Sequence, residues 1–341
     1  MSVEAGRDAL RPQSLETFTG QPNVVRHMRI VLSAAMGRGE LPDHMLFAGP
    51  PGLGKTTLAQ IVAHELGVPL VTTSGPALER AGDLAALLSG ISKPSVVFID
   101  EIHRIPRAIE EILYPAMEDG VLDFIVGEGP KARTVRLPLQ KFCLVGATTQ
   151  SGMLSAPLRD RFGVLSRLEL YGLSDLAGIV ARSAGLLGCD VTKEASSVVA
   201  SRSRGTPRVA NTLLRRVRDW SQVHELTPVT PEIAVSALND FGIDERGLDK
   251  LGLDILRALC QKFGGGPVGL ATLAAAVGEA PATVAEVYEP YLMHCNLLSR
   301  TPRGRVATSQ AWSHIGLNEP QAPKGLIGAP FEEQEQLSDF D

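Results

Sequence analysis

The feature that most constrains this chain is a glycine-rich run at residues 49–57, GPPGLGKTT, which satisfies the pattern G-x-x-x-x-G-K-[ST] in full. The apolar segment 45–48 before it predicts a buried strand, and the segment 57–63 after it predicts a helix. In that context backbone N–H groups and the helix N-terminus close around phosphate oxygens. We expect Lys55 to reach the β- and γ-phosphates of a nucleotide and the Thr56 hydroxyl to bind Mg²⁺. The alternative is a glycine-rich turn that binds nothing, in which the lysine would cost entropy without structural gain.

The composition is that of an ordinary globular protein. Of the 341 residues, 44% are apolar and 21% are charged. No apolar stretch approaches the roughly 18 residues of a membrane span, and the N-terminus lacks the apolar segment of a signal peptide. The four cysteines are scattered, without metal-binding or disulfide spacing. We therefore expect a cytoplasmic protein that does not enter a membrane.

The net charge of −5 is concentrated at the C-terminal end of the chain. From residue 317 onward there are six acidic residues and one lysine, so the preceding body is neutral overall. Prolines and a lack of periodicity predict that this acidic tail, 317–341, is disordered. Because the basic residues of the body are clustered, the negative net charge does not exclude binding to nucleic acid.

Three folded parts are expected before the tail. Residues 1–171 alternate apolar runs with helical patterns, which predicts a large α/β domain with a parallel sheet. Residues 172–248 have an all-helical pattern and predict a small lid domain. Residues 249–316 combine helices with a short hairpin expected at 297–306, which suggests a winged-helix module. The strands expected in the first part are 45–48, 70–72, 95–99 and 142–146.

A second acidic motif follows the apolar run 95–99. A central strand of this kind delivers carboxylates at its C-terminal edge, where ligands bind in open α/β sheets. We expect Asp100 to hold Mg²⁺ and Glu101 to orient and polarise the attacking water. The alternative is a strand followed by an acidic turn. His103 is expected to be a surface or hydrogen-bonding histidine rather than a base, since Glu101 already fits that role.

Three further positions complete a nucleotide site. The strand at 142–146 leads to Thr148 and Thr149, where a polar side chain can bond the γ-phosphate or the water. Arg161, in the run PLRDRFG, is a candidate for stabilising the charge that develops in phosphoryl transfer; the alternative is an arginine paired with Asp160 on a solvated face. Arg208, in RGTPR, would project from the first turn of a helix toward the phosphates; the alternative is a basic helix start facing solvent.

Together, GPPGLGKT, VVFIDE, the Thr149 strand end, RDRFG and GTPR resemble the AAA+ ATPases, which implies an AAA+ P-loop NTPase core followed by an all-helical lid domain and a winged-helix domain. A closer resemblance is to the RuvB family of bacterial Holliday junction branch-migration motors, over about residues 10–316. It is carried by further motifs, of which the last are not shared by AAA+ proteins generally: LRP (10–12), DH (43–44), SGPALERAGDLAALL (74–88), EEILYPAMED (110–119), LPLQKFCLVGATT (137–149), APLRDRFG (156–163), RSRGTPRVAN (202–211), KFGGGPVGL (262–270), VYEPYL (287–292) and RTPRGRVAT (300–308).

The resemblance implies an ATP and Mg²⁺ site and assigns its residues. Nucleotide contacts fall on Leu10, Arg11, Gly52, Gly54, Lys55, Thr56, Thr57, Glu118, Asp119, Gly120, Tyr171 and Arg208. Metal and water fall to Thr56, Asp100 and Glu101, with Thr149 as the first sensor. Arg161 resembles the arginine finger that enters the neighbouring subunit's site, which implies a ring, a homohexamer in this family.

The resemblance also implies partners. Arg300, Arg303 and Arg305 match the winged-helix segment that contacts the duplex DNA of Holliday junctions, and their position around a turn suits sequence-independent phosphate contacts. The segment 121–136 resembles a projecting hairpin that binds RuvA, the junction-binding protein; the alternative is a hairpin packed on its own domain. A RuvC-like resolvase would belong to the larger complex. Departures from the family pattern are small: Gln150 stands where an arginine is common, and Pro106 lies near a helix start.

Three functions remain to be compared. The first is an ATP-driven DNA motor. The second is a clamp-loader or initiator type of ATP-gated DNA-binding switch, which has a similar core but lacks the C-terminal motifs found here. The third is a protein-remodelling enzyme, for which we expect an aromatic pore loop between the phosphate loop and the acidic strand, and none is present. The motor is the function that also explains the C-terminal motifs.

Overall fold

A computed structural model describes residues 9–126 and 133–320 of the chain. The chain divides into two compact units. One comprises the residues up to 252 together with Ala282–Tyr291, and the other comprises Leu253–Pro281 together with the residues from 292 onward. The first unit contains a parallel sheet and a helical lid, and the second contains a small hairpin with helices. Most of the predicted acidic tail lies outside the described residues.

The first unit begins with a sheet-and-helix region. Its elements are α1 (Pro22–Arg38), β1 (Met45–Ala48), α2 (Lys55–Glu65), β2 (Leu70–Ser74), α3 (Ala81–Ser89), β3 (Ser95–Asp100), α4 (Arg107–Glu118), β4 (Val121–Val126), β5 (Arg133–Pro138), β6 (Phe142–Thr148), α5 (Ala156–Asp160) and β7 (Val164–Arg167). Pro106 stands directly before α4, where its missing N–H costs no helical hydrogen bond. Five strands form one parallel sheet in the order β2-β3-β6-β1-β7. The predicted α/β class is confirmed, and β7 is a strand that the sequence analysis missed.

The sheet is buried on both faces, as a parallel sheet must be when helices cover it. In β3, Val96 and Phe98 belong to one core cluster while Val97 and Ile99 belong to the other, and each is at most 1% exposed. Side chains alternate between the faces with a period of two. This explains why the strand is a continuous apolar run rather than an alternating one.

The register of the strands brings their carboxyl ends to one edge. Ala48 of β1 lies beside Thr148 of β6, and Asp100 of β3 lies beside Ser74 of β2. Gly49 continues from β1 and donates its N–H to the carbonyl of Thr148 at 3.1 Å. The phosphate loop, the acidic motif and the Thr148–Thr149 end of β6 therefore start from neighbouring strands at one edge.

The lid follows as four helices: α6 (Leu173–Leu186), α7 (Lys193–Ser201), α8 (Pro207–Val223) and α9 (Pro231–Asp240). Helix α8 begins where Thr206 caps it, its hydroxyl accepting the N–H of Val209 at 3.4 Å, and Pro207 occupies the first turn. The buried side of α8 repeats at helical spacing through Ala210, Leu213, Leu214 and Val217. These residues join the core cluster on one sheet face, so the lid and the sheet share a core.

The remaining elements are α10 (Lys250–Arg257), a π-helical turn at Ala258–Lys262, α11 (Leu270–Val277), the short α12 (Pro281–Thr283), a second π-helical turn at Val284–Tyr288, α13 (Glu289–His294), β8 (Leu298–Thr301), β9 (Gly304–Ala307) and α14 (Ser309–His314). Strands β8 and β9 pair as an antiparallel hairpin, at the position where the sequence predicts one. At Gly304, φ is +138° and a Cβ atom would lie 2.4 Å from the carbonyl oxygen of Val268, so no side chain fits at that turn.

Among the described residues, no single helix is both long and apolar enough to cross a membrane. Two successive helical segments, Leu270–Val277 and Pro281–His294, are long and apolar enough only when taken together, and the chain bends by 103° between them.

Candidate nucleotide-binding site

A cavity of about 440 Å³ lies at the carboxyl edge of the sheet in the first unit. Three parts of the chain line it: an N-terminal segment, the phosphate loop with the acidic strand end, and the lid. The structure brings together in its wall these predicted residues: Leu10, Arg11, Gly52, Gly54, Lys55, Thr56, Thr57, Asp100, Glu101, Tyr171 and Arg208. Segments that are distant in the sequence therefore meet around a single space.

The phosphate loop has a backbone that only glycine adopts easily. Gly52 and Gly54 have φ values of +83° and +102°, in the left-handed region where a side chain would be strained. Lys55 then opens α2 and is only 7% exposed. Its ammonium donates to the carbonyls of Gly49 at 2.7 Å and Pro50 at 3.0 Å, so the loop is folded around its own lysine.

The electrostatics of the loop depend on the acidic strand end. Burial lowers the pKa of Lys55, while the nearby charges of Glu101 and Asp100 act in the opposite direction. Burial also raises the pKa of Asp100, helped by the charge of Glu101 and opposed by the Glu101 backbone N–H, Lys55 and Arg208. The backbone N–H of Glu101 donates to Asp100 Oδ1 at 3.0 Å. A cation close to Asp100 would relieve its desolvation.

One oxygen of Glu101 lies in a cluster of polar groups. Thr149 donates to Glu101 Oε2 through its hydroxyl at 3.1 Å and its N–H at 3.3 Å. His103 Nδ1 lies 3.2 Å from the same oxygen and 3.0 Å from the hydroxyl of Thr148. Thr149 thus faces the Glu101 carboxylate, and Thr148, which is fully buried, faces His103. The side chain of His103 is only 6% exposed, so of its two predicted roles the structure has the hydrogen-bonding one.

Arg208 of the lid and Tyr171 just before the lid are hydrogen-bonded to carbonyls of the phosphate loop. Arg208 N–H donates to the carbonyl of Gly52 at 3.3 Å, and the Tyr171 hydroxyl donates to the carbonyl of Leu53 at 3.1 Å. Tyr171 N–H in turn donates to Gly205 in the loop before α8 at 2.9 Å. Arg208 therefore lines the pocket from the first turn of α8, although the residue is also exposed to solvent.

Arg161 and its surroundings lie elsewhere. Its guanidinium contacts Glu118 at 3.0 Å, donates to the carbonyl of Pro157 at 2.7 Å, and lies 4.3 Å from the ring centre of Tyr114. Arg161 therefore pairs with Glu118 and not with Asp160, which was the alternative considered from the sequence. Arg161, Glu118, Asp119 and Gly120 do not line the pocket of their own chain, and Thr149 reaches it only through Glu101.

Several pocket residues were missed by sequence reasoning. Asn211, Thr212 and Arg215 line the pocket from α8, three, four and seven positions after Arg208. Helical spacing from Arg208 is a signal that would have found them. Arg182 on α6 also lines the pocket, and its contacts are with carbonyls more than 160 positions earlier in the chain, for which the sequence carries no signal.

The predicted DNA contacts lie in the second unit. Arg300 of β8 and Arg305 of β9 are directly opposite in the hairpin register, and Arg303 lies in the turn between the strands. Arg300 and Arg303 are exposed and Arg305 is half-buried. Like charges directly opposite on a hairpin repel each other, so an anion beside them would be stabilising.

The predicted partner hairpin is also formed. Strands β4 and β5 are antiparallel, and Arg136 holds Asp123 across them with contacts of 2.9 and 3.1 Å. The side chains of residues 124–126 and the turn at 127–130 are outside the described part of the chain. Whether their apolar groups face a partner therefore stays a prediction.

A phosphate loop between β1 and α2, an acidic end on β3, a polar end on β6 and a helical lid over the pocket define an AAA+ P-loop ATPase. Three family models match consecutive parts of the chain: the P-loop domain of the Holliday junction DNA helicase RuvB over residues 10–168, the RuvB AAA lid domain over 171–244, and the RuvB C-terminal winged helix domain over 245–316. The chain belongs to the RuvB family.

Individual relatives agree with the family models. The Holliday junction branch migration complex subunit RuvB of Corynebacterium jeikeium is 57% identical over 318 residues, covering 93% of this chain and 90% of the relative. The protein of the same name from Oleidesulfovibrio alaskensis is 53% identical and covers 93% of this chain and 99% of the relative. The solved structure of the Thermotoga maritima RuvB Holliday junction branch migration motor matches with a TM-score of 0.84 at 44% identity, covering 92% of this chain and 100% of that one.

Proposed function

We propose that this chain is the ATP-driven motor of a Holliday junction branch-migration complex, which hydrolyses ATP to move duplex DNA. The observation that carries the proposal is one pocket that joins a phosphate loop, two carboxylates and a lid arginine within a chain of the RuvB family. The named relatives, each a subunit of a branch migration complex, support the DNA substrate.

The chemistry of the pocket suits hydrolysis of a nucleoside triphosphate. Lys55 and the loop N–H groups bind the phosphates, and Arg208 neutralises charge from the lid side. Glu101 acts as the base that orients water, with Thr149 fixing one carboxylate oxygen at 3.1 Å so that the other can accept a proton. Asp100 is then available to bind Mg²⁺.

The donor set fits Mg²⁺. The Thr56 hydroxyl and the Asp100 carboxylate both line the pocket and are hard oxygen ligands, which Mg²⁺ takes together with water and phosphate oxygens. Burial raises the pKa of Asp100, and the charge of a nearby Mg²⁺ would favour the ionised carboxylate. Mg²⁺ would supply charge neutralisation of the phosphates as they separate.

Arg161 lies outside the pocket of its own chain, which supports a role in a neighbouring subunit. A site completed across a subunit boundary needs a closed arrangement of copies, and we infer a homohexameric ring. Each copy then contributes Lys55 and Glu101 to the nucleotide site at one subunit interface and Arg161 to the site at the next interface. Glu118, Asp119 and Gly120 would lie beside this arginine finger.

The DNA and protein partners follow from the two hairpins. We infer that Arg300, Arg303 and Arg305 bind phosphates of the duplex without reading its sequence, as a translocating motor requires. Residues 121–136 would bind a RuvA-like junction protein, with a RuvC-like resolvase in the larger complex. We infer that the complex acts in the cytoplasm, since the scattered cysteines have no disulfide spacing.

The test is movement of a synthetic four-way junction with heterologous outer arms, with and without the junction-binding partner. We expect dissociation of the junction into two duplexes with ATP and none with a slowly hydrolysed ATP analogue. Binding to the junction that depends on ATP but produces no movement, even with the partner, would contradict the motor and favour a nucleotide-gated switch.

A further inference from the structure

An arginine on the lid holds the N-terminal segment over the nucleotide pocket. Arg182 of α6 donates from Nη2 to the carbonyl of Leu10 at 2.9 Å and from Nη1 to the carbonyl of Thr17 at 2.9 Å. The two carbonyls are seven residues apart in the chain, and one planar guanidinium spans them. A lysine, with a single point charge, cannot hold both in a fixed direction.

The N-terminal segment depends on such bonds because it has no regular structure. Between residue 9 and α1 the described chain contains only turns and extended residues, so no helix or strand ladder sets its position. Leu15 N–H donates to Glu65 at 3.0 Å, and Leu10 is packed to 3% exposure. Arg182 adds the bonds at both ends of the part that lines the pocket.

Part of the Arg182 guanidinium is buried in this contact. The Nε atom of Arg182 is buried and has no hydrogen-bond partner in the described structure, and such groups are rare. Burial also lowers the pKa of Arg182.

The part of the pocket in which Arg182 lies indicates which part of a ligand it would affect. The phosphate loop and the acidic strand end form the phosphate side of the cavity. Leu10, Arg11, Pro12, Ile179 and Arg182 line the same cavity and contain neither a loop of N–H groups nor a carboxylate. In a pocket of about 440 Å³ this is the wall left for a base and sugar.

We propose that Arg182 is the positioning residue that fixes the base side of this pocket. It sets the preference of the site for a nucleotide over a bare polyphosphate, and it links occupancy of the base side to the position of the lid, because it belongs to α6 and holds Leu10 and Thr17. The inference rests on the proposed ATP site and adds the residue that gives that site its base selectivity.

The test compares ADP with pyrophosphate, which shares its phosphates and lacks its base. For Arg182→Ala in the full-length chain, we expect the Kd for ADP to rise about tenfold, equivalent to about 1.4 kcal/mol. The Kd for pyrophosphate should stay within about twofold, since the phosphate loop is untouched. Arg182→Lys keeps the charge but reaches only one carbonyl, so we expect a smaller loss with the same selectivity.

The matched control is Arg218→Ala, a lid arginine on α8 that contacts Asp219 at 2.7 Å and does not line the pocket. It should bind both ligands as the wild type does. An equal loss of ADP and pyrophosphate binding in both Arg182 variants, or no loss in either, would overturn the assignment. Failure of the wild-type chain to bind ADP would instead overturn the ATP site itself, so the two failures are distinguishable.

Discussion

His103 is expected to hold the catalytic carboxylate in place, and its removal should lower turnover without weakening ATP binding. Glu101 Oε2 has three polar neighbours: the hydroxyl and N–H of Thr149 at 3.1 and 3.3 Å, and His103 Nδ1 at 3.2 Å. His103 Nδ1 hydrogen-bonds the Thr148 hydroxyl at 3.0 Å and is only a close polar neighbour of Oε2, so we take about 1.4 kcal/mol for its loss, which corresponds to about a tenfold fall in kcat. The KM for ATP should change by less than about threefold, because His103 does not line the pocket.

Two substitutions separate position from polarity. In His103→Asn the amide nitrogen occupies nearly the place of Nδ1, so it keeps a donor beside Glu101 and Thr148 and should retain most of the turnover. In His103→Gln the donor lies one bond further out, near the place of Nε2, and turnover should fall toward that of His103→Ala. The assay is steady-state ATP hydrolysis over a range of ATP concentrations, with ADP binding and thermal unfolding measured on each variant.

The order of the three variants decides the matter. If His103→Asn were as slow as His103→Ala, or if all three lost ADP affinity together with turnover, the histidine would act through packing and not through its Nδ1 atom. Wild-type kcat in His103→Ala would show that Thr149 alone suffices to hold Glu101.

Three further perturbations test other parts of the machine. Glu101→Gln should bind ATP and stop turnover, by about 10²–10⁴-fold for loss of a general base, and substantial hydrolysis by a pure preparation would refute that role. Arg161→Ala should also stop turnover. Mixing it with Glu101→Gln subunits should restore part of the turnover, because some subunit interfaces then combine the intact pocket of one variant with the intact Arg161 of the other. A mixture as inactive as its components would contradict a shared site. Alanine at Arg300, Arg303 and Arg305 together should weaken duplex binding and flatten its salt dependence, with a log–log slope smaller by up to about 2.7 and basal ATPase retained; an unchanged slope would remove these residues from the DNA contact.

Local sequence predicted most of the fold. The strands at 45–48 and 95–99 are continuous apolar runs because both sheet faces are covered, and that pattern is readable without a structure. Strand β7 was missed for the opposite reason. It lies at the sheet edge, with Leu165 57% exposed and Ser166 buried, so its apolar pattern is inverted.

The site was predictable where its residues belong to motifs and unpredictable where it depends on tertiary contacts. Lys55, Asp100 and Arg208 stand at positions that strand ends and helix starts determine, and the structure brings them to one cavity. Arg182 acts through carbonyls 165 and 172 positions away, and backbone acceptors leave no signature in a sequence. The depth of His103 was equally hidden, since a histidine after an acidic strand suits solvent as well as a buried network.

The resting place of Arg161 has a consequence for how such a site would discriminate its nucleotide. In its own chain the guanidinium already has a carboxylate at 3.0 Å and an aromatic face at 4.3 Å, so it is ordered before any neighbour arrives. Moving to a neighbouring subunit's nucleotide would mean that Arg161 exchanges the Glu118 carboxylate for a phosphate oxygen as its acceptor. Glu118 is 55% exposed and competes only weakly, since a solvated ion pair is worth about 0–1 kcal/mol. If Arg161 completes a neighbouring site as proposed, a γ-phosphate would displace that carboxylate because its charge is greater. After hydrolysis the arginine would return to Glu118, so the resting contact would reset each subunit for the next nucleotide.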